Sequence, residues 1–462
     1  MLGLFVFLYL LSNLGIGLWA SRRIHSTRDF VLAGRNLPLG LAISATFATW
    51  FGSESIMGAP AEFLKKGLLG IIEEPFGAAL CLLLIGLFYA RKFYRMNIIT
   101  FCDFFRIRFG RKAELLSAIL IIPSYFSWIA AQLIAMGIVL KIVLGWEMLP
   151  CIILSSTVVI TYTVWGGMWS ISITDFFQTI MIIAGLVIVA TLMYTRLDNI
   201  EQLTSRMPDD FFNFFPQNTL HGHLHYIAAW ITIGLGSIPQ QDVFQRVMSA
   251  RTEKIAVQSS IISSVLYVSV ALIPLFIGLC GYVLYPELAS KDLQMMIPDM
   301  IMIHTPLGIR IVFFGALVSA ILSTTSSAVM APATVFGENI LKFVKPDLTD
   351  RQVLFAIRCG IVGITIICIG LASTRESIFE LVAESSAFSL VSLFIPLTAG
   401  LYCPWATSRG CMMSMIAGLS TWLICLQLNT EYPPLLYGLL AGAVALVAGG
   451  IRKQEATPKT TH

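Results

Sequence analysis

The chain has 462 residues, 57% of them hydrophobic and 12% charged, with a mean hydropathy of +0.82. Soluble domains carry about 25% charged residues, so a water-soluble globule is excluded. The net charge of +4 is too small and too dispersed to point to nucleic acid. The nine cysteines show no Cys-x-x-Cys spacing and fall mostly inside apolar runs, which reads as packing rather than a disulfide framework or a metal site.

Runs near the length of about 20 residues that crosses about 30 Å of hydrocarbon recur from end to end. No polar domain separates them, so a single integral membrane domain over 1–462 is predicted. The first run, Leu2 to Ala20, has no basic residue before it and no small-residue cleavage site after it, and reads as a retained helix. The second, Leu41 to Phe63, carries Gly52-Ser53 near its middle and Glu54 at once after. A carboxylate in hydrocarbon costs at least ~2.5–3.5 kcal/mol, so it faces protein or a water-filled cavity. A helix that breaks at mid-membrane frees backbone carbonyls, the material of sodium sites in secondary transporters. Further runs follow at about 68–90, 115–144, 148–164, 173–195, 226–240, 257–285, 311–343, 353–373, 378–402, 411–427 and 434–451. The expectation is an all-α polytopic protein of about thirteen transmembrane helices, its termini on opposite sides.

Alternate connections carry 22 of the 30 basic residues, from Arg22, Arg23, Arg28 and Arg35 through Arg91–Lys112, Arg246, Arg251 and Lys254 to Arg452, Lys453 and Lys459. The positive-inside rule places these in the cytoplasm, with the N-terminus outside and the C-terminus inside a plasma (inner) membrane. The longest external connection, about Thr195 to His225, is acidic and aromatic and suits a small cap. The C-terminal tail is short and polar, with no appended signalling module.

The run from 311 to 343 carries Ser319 and Ser323–Ser327, six hydroxyls within nine residues. Ala320, Ser323 and Thr324 stand at i, i+3 and i+4, on one helix face. A carbonyl and two hydroxyls there suit a hard, weakly held cation such as sodium. Close packing of membrane helices by small and hydroxylated residues is the competing reading.

FVLAGRNLP followed by SATFATWFGSESIMGAPAE, then YTVWGGMWSISITDFFQ (162–178), GSIPQQDVFQRVMSA (236–250) and SAILSTTSSA (319–328) together resemble the sodium:solute symporter family, in order and over nearly the whole chain. The resemblance implies a 5+5 inverted-repeat, leucine-transporter-like core with broken first and sixth core helices. Its repeats would span 41–195 and 226–402, after a leading helix and loop (1–40). Two trailing helices (411–451) and a cytoplasmic tail (452–462) would follow. It implies a sodium site made of the carbonyls of Ala48, Phe51 and Ala320 with the hydroxyls of Ser323 and Thr324. Asp175 matches an acidic residue on the sodium exit route; a helix-capping role in SITD is the other reading.

For the substrate, the first core helix offers Trp50, Gly52, Ser53 and Glu54, and the third offers Ser124, Ser127, Trp128 and Gln132, spaced to share a polar face. The sixth offers Gln240 after a second break at Gly234, Gly236 and Pro239. In the tenth, Glu384, Ser385, Ser386 and Ser389 are polar. Glu54 reads equally as a buried structural carboxylate bonded to a neighbouring helix. ATWFG resembles choline-transporting relatives whose tryptophan joins an aromatic cage, where cation–π contacts contribute ~2 kcal/mol when desolvated. Gln240 stands where those relatives place a second tryptophan, which leaves proline-like zwitterions, betaines and small carboxylates equally open within a proline/choline-transporter-like branch.

The expected function is sodium-coupled symport of a small organic solute by alternating access, with sodium as coupling ion, the bilayer as surroundings, no cofactor, and no protein or nucleic-acid partner. No Walker motif, catalytic triad or channel filter is present. His221, His223 and His225 read as a solvated loop able to take a metal adventitiously. A transporter-like sensor that binds solute without flux is the alternative.

Overall fold

The computed structural model describes residues 1–22, 24–289, 292–375 and 377–451. Arg23 and the tail 452–462, with Arg452, Lys453 and Lys459, lie outside the described residues. The described chain is helical, and the sole β-bridge among these residues joins Leu37 to Ala250. Its helices are α1 (Leu2–Ser21), α2 (Leu39–Trp50), α3 (54–66), α4 (Leu68–Met96), α5 (Phe101–Phe109), α6 (Arg111–Leu144) and α7 (Met148–Thr195). After a connection come α8 (Leu220–Gly236), α9 (Gln241–Ser249), α10 (Glu253–Leu284), α11 (Met296–His304) and α12 (Leu307–Val344). The last are α13 (Asp350–Ala372), α14 (Ile378–Tyr402), α15 (Ser408–Gln427) and α16 (Pro434–Ile451).

Among the described residues eight helices are long and apolar enough to cross a membrane, and four shorter apolar ones accompany them. Large apolar side chains face outward, Leu440 at 65% and Val265 at 62% exposure. Such a surface is stable only against lipid, where backbone groups must be satisfied internally, as helices do. The predicted run at 226–240 lies on α8, whose opening turns LHGHLH are polar and whose helix stops at Gly236.

Three interruptions position everything that follows. In α7 the runs predicted at 148–164 and 173–195 are joined without a loop, through Gly167 at φ 52°, ψ −164°. A side chain there would lie 2.7 Å from the Phe30 ring and 2.8 Å from the Phe30 carbonyl oxygen, so glycine is required sterically as well as conformationally. α2 stops at Trp50 and the chain resumes as α3. α8 stops at Gly236, and α9 begins at Gln241.

The core sits where α7 packs on α1, α2 and α12. The connection after α7 folds back over the ends of α3 and α4. The Leu68 amide donates to the Phe211 carbonyl at 2.9 Å, and the rings of Phe211 and Phe63 lie 4.8 Å apart. At the end rich in Arg and Lys, Thr100 and Asp103 form a reciprocal cap on α5, and Arg95 pairs with Glu253 at 2.8 Å.

Candidate functional site

The break after α2 is the structural origin of the site. The last helical bond runs from the Phe51 amide to the Phe47 carbonyl at 2.9 Å, and Phe51 then turns out of the helix at φ −90°, ψ 79°. The carbonyls of the final turn therefore lose their intrahelical donors, and other helices supply new ones. Thr324 Oγ1 of α12 donates to the Ala48 carbonyl at 3.2 Å, and the Tyr267 hydroxyl of α10 approaches the Trp50 carbonyl to 3.0 Å. The Ser53 amide donates to Gln132 Oε1 of α6 at 3.1 Å.

Gly52 lies at the crowded point. A methyl added there would be 2.6 Å from Glu54 Oε2, 2.8 Å from Thr324 Oγ1 and 2.9 Å from Gln132 Oε1. Three oxygens thus converge on a residue with no side chain. Ala48, Phe51, Ala320, Ser323 and Thr324 are all fully buried, and Ser323 Oγ donates to Asp175 Oδ1 at 2.5 Å. The donor set is oxygen alone, the chemistry a hard cation takes, and two of its members, Ala48 and Thr324, are already in contact.

Beside the break lies a small chamber lined by Trp50, Glu54, Glu74, Trp128, Gln240 and Tyr267, among others. Gln132 Nε2 and Trp128 Nε1 donate to the two Glu54 oxygens at 2.7 and 3.3 Å. Glu74 accepts from Ser55 Oγ at 2.9 Å and from the Tyr267 hydroxyl. Trp50 Nε1 donates to Asp242 Oδ2 at 3.3 Å, and the Tyr125 hydroxyl donates to Asp242 Oδ1 at 2.5 Å. At the second break Gln240 reaches Ser389, Ser237 bonds Ser386 at 3.0 Å, and Ser389 Oγ donates to the Gly236 carbonyl at 2.5 Å. Its free volume of about 20 Å³ leaves room for little more than one water and none for an organic solute.

Residues 30–418 match the Sodium:solute symporter family. The chain belongs to that family. Along its length it is 28% identical to the high-affinity choline transporter 1 of Caenorhabditis elegans, over 91% of this chain and 76% of that protein. It is 26% identical to the high-affinity proline transporter PutP of Bacillus subtilis, over 93% of each. The structure of a sodium-coupled sialic acid symporter in a substrate-bound outward-open state superposes with a TM-score of 0.85 at 20% identity, covering 99% of this chain and 98% of that one. The symporter is therefore an integral membrane protein that couples transport of a small solute to sodium, and is not an enzyme.

Several expectations need correction. Asp175 does not cap a helix start: it lies about two turns inside the second limb of α7, fully buried. Arg246 is not a loop charge, being buried at 3% exposure, and drops out of the positive-inside tally. Ser127 does not share the polar face of Trp128 and Gln132. All three lie on one unbroken helical stretch, where Trp128 and Gln132 are four residues apart and Ser127 points about 100° away from Trp128, so that it turns to Glu384, which itself pairs with Arg375 at 3.1 Å. Glu54 is indeed bonded to a neighbouring helix, yet it also lines the chamber.

Sequence reasoning passed over Glu74, Tyr125, Asp242, Arg246 and Tyr267. Glu73-Glu74 inside the apolar run 68–90 is the same anomaly that flagged Glu54 and was a usable signal. Asp242 and Arg246 stand at i and i+4 just past the second break, where the segment reads as a loop from sequence.

Proposed function

We propose that the symporter carries a small ammonium-bearing solute, a choline-, betaine- or proline-like compound, together with sodium, as a member of the proline/choline-transporter-like branch. The observation that carries this is the composition of the chamber. Two tryptophans and two carboxylates line it, with no lysine, arginine or histidine beside them. Trp50, held by its indole N–H on Asp242, stands in the chamber wall, and cation–π contacts contribute ~2 kcal/mol when desolvated. A small carboxylate would meet Glu54 and Glu74 without a counter-charge, which disfavours that class.

In this reading sodium sits among the carbonyls of Ala48, Phe51 and Ala320 and the hydroxyls of Ser323 and Thr324, with Asp175 on the exit side. It bridges α2 to α12 and thereby shapes the wall that Trp50, Gly52, Ser53 and Glu54 present to the solute, opposite Trp128, Gln132 and Gln240. Sodium binding holds the outward-facing state. Release follows rocking of one helix bundle against the other, driven by ~2.3 kcal/mol per charge per 100 mV plus the concentration gradient. The reading includes thirteen crossings, inverted repeats over 41–195 and 226–402, and trailing helices at 411–451. It places the N-terminus outside and the basic ends in the cytoplasm of an inner membrane. Support for the orientation is the excess of Arg and Lys on one set of connections.

The test is uptake into proteoliposomes with and without an inward sodium gradient, screened over choline, betaines, amino acids, carboxylates and sugars. Sodium-dependent uptake confined to ammonium-bearing solutes is expected. Equal uptake of a carboxylate lacking an ammonium group would overturn the substrate class.

A further inference from the structure

Arg246 is a permanent cation buried in the centre of the bundle, and its partners form a set. Nε donates to the Ala45 carbonyl at 3.2 Å and to Thr49 Oγ1 at 2.8 Å, Nη1 donates to Met168 Sδ at 2.7 Å, and Nη2 donates to Ser327 Oγ and lies 3.9 Å from Asp175 Oδ2. That carboxylate oxygen has no hydrogen-bond partner, whereas Oδ1 accepts from Ser323. The geometry repeats along two helices. Ala45 and Thr49 flank Ala48 on α2, and Ser327 stands one turn beyond Ser323 and Thr324 on α12. The guanidinium therefore fills a second position, lined by these oxygens and the Met168 sulfur, about one turn or ~5.4 Å from the contact of Ala48 with Thr324.

The displacement has a direction. α2 enters from the basic end, where Arg35 lies, and α12 leaves toward the same end, where Lys342 lies. Arg246 thus stands between the Ala48–Thr324 contact and the basic side. Guanidinium cannot shed its proton inside a protein, so the charge is always present. A buried charge needs a partner, and Asp175 must serve both Arg246 and, through Ser323, an ion on the other side.

We propose that Arg246 is a tethered cation that closes the cytoplasmic side of the sodium site, its charge holding sodium affinity low enough for release. The inference rests on the sodium-site reading above. Asp175 then attracts the ion while Arg246 opposes it, and sodium leaves when the rocking of α2 against α12 draws the guanidinium off Ala45, Thr49 and Ser327.

Binding of radioactive sodium to the purified full-length protein tests this without a substrate. Arg246→Gln should lower the half-saturating sodium concentration by about fivefold or more, and Asp175→Asn should raise it by about tenfold or more. Asp175→Asn/Arg246→Gln, which removes both charges and strands neither, should return it to within about threefold of the wild type. An unchanged or raised value in Arg246→Gln overturns the proposal. Should that variant not fold, a double variant that binds no better than Asp175→Asn overturns it. Thr324→Ala measured alongside separates the two levels: wild-type binding there overturns the site reading and this inference with it. Weakened binding there with Arg246→Gln unchanged overturns this inference alone.

Discussion

Gly52→Ala is the sharpest perturbation the structure offers. The added methyl would sit 2.6, 2.8 and 2.9 Å from Glu54 Oε2, Thr324 Oγ1 and Gln132 Oε1, all below the ~3.5 Å at which carbon contacts become favourable. Each of those side chains is buried and engaged elsewhere: Glu54 with Trp128 and Gln132, Thr324 with Ala48, Gln132 with the Ser53 amide. Relief on one side therefore breaks a bond on another. Overpacking of this kind costs about 1–3 kcal/mol, which at ~1.4 kcal/mol per decade corresponds to roughly a five- to 150-fold change. The expected result is a rise of that size in the half-saturating sodium concentration and in the substrate KM of uptake, at near-normal protein abundance. Gly58→Ala is the matched control six residues on, where the nearest foreign atom would be the Phe379 amide nitrogen at 3.4 Å. It should transport like the wild type. Gly52→Ala with both constants within about twofold of the wild type would refute the convergence of these oxygens on a working site.

Thr324→Ala removes the hydroxyl that meets the Ala48 carbonyl at 3.2 Å, and contacts to a charged group contribute about 1.5–3 kcal/mol. Sodium half-saturation of uptake should rise by at least about tenfold while Thr324→Ser stays near the wild type; uptake kinetics at varied sodium check it. Glu74→Gln keeps the Ser55 and Tyr267 contacts geometrically possible but removes the ionisable carboxyl group. Inhibition of uptake by ammonium-bearing competitors should weaken by about tenfold, with inhibition by uncharged analogues unmoved. Gly167→Ala places a methyl 2.7 Å from Phe30 at φ 52°. A positive φ with an extended ψ is a conformation essentially reserved for glycine and costs another residue about 1–3 kcal/mol, so a lowered unfolding midpoint in detergent and reduced yield are expected.

The sequence by itself determined the material of this protein and its points of failure. Length and hydropathy are local properties that the bilayer reads directly, so the long apolar helices follow from the runs. The breaks at Gly52-Ser53 and at Ser237–Gln240 are likewise local, because glycine, proline and a carboxylate inside an apolar run are visible one residue at a time. The hydroxyl stripe on α12 was legible for the same reason, since a helical period alone puts Ala320, Ser323 and Thr324 on one face.

Tertiary structure decided which of these groups meet. Trp50 and Asp242 are 192 residues apart, and Glu74 and Tyr267 are 193 apart, so neither pairing has a local signature. Arg246 looks like a loop charge until α9 is seen folding inward beneath α2 and α12, where burial obliges it to find Asp175. Ser127 fits a polar face by its spacing from Ser124, and its place one residue before Trp128 on the same helix turns it to Glu384 instead. The physical reason is common to all of them. Membrane insertion depends on the polarity of each segment. The partner of a buried charge depends on which segments the packing brings within hydrogen-bonding distance.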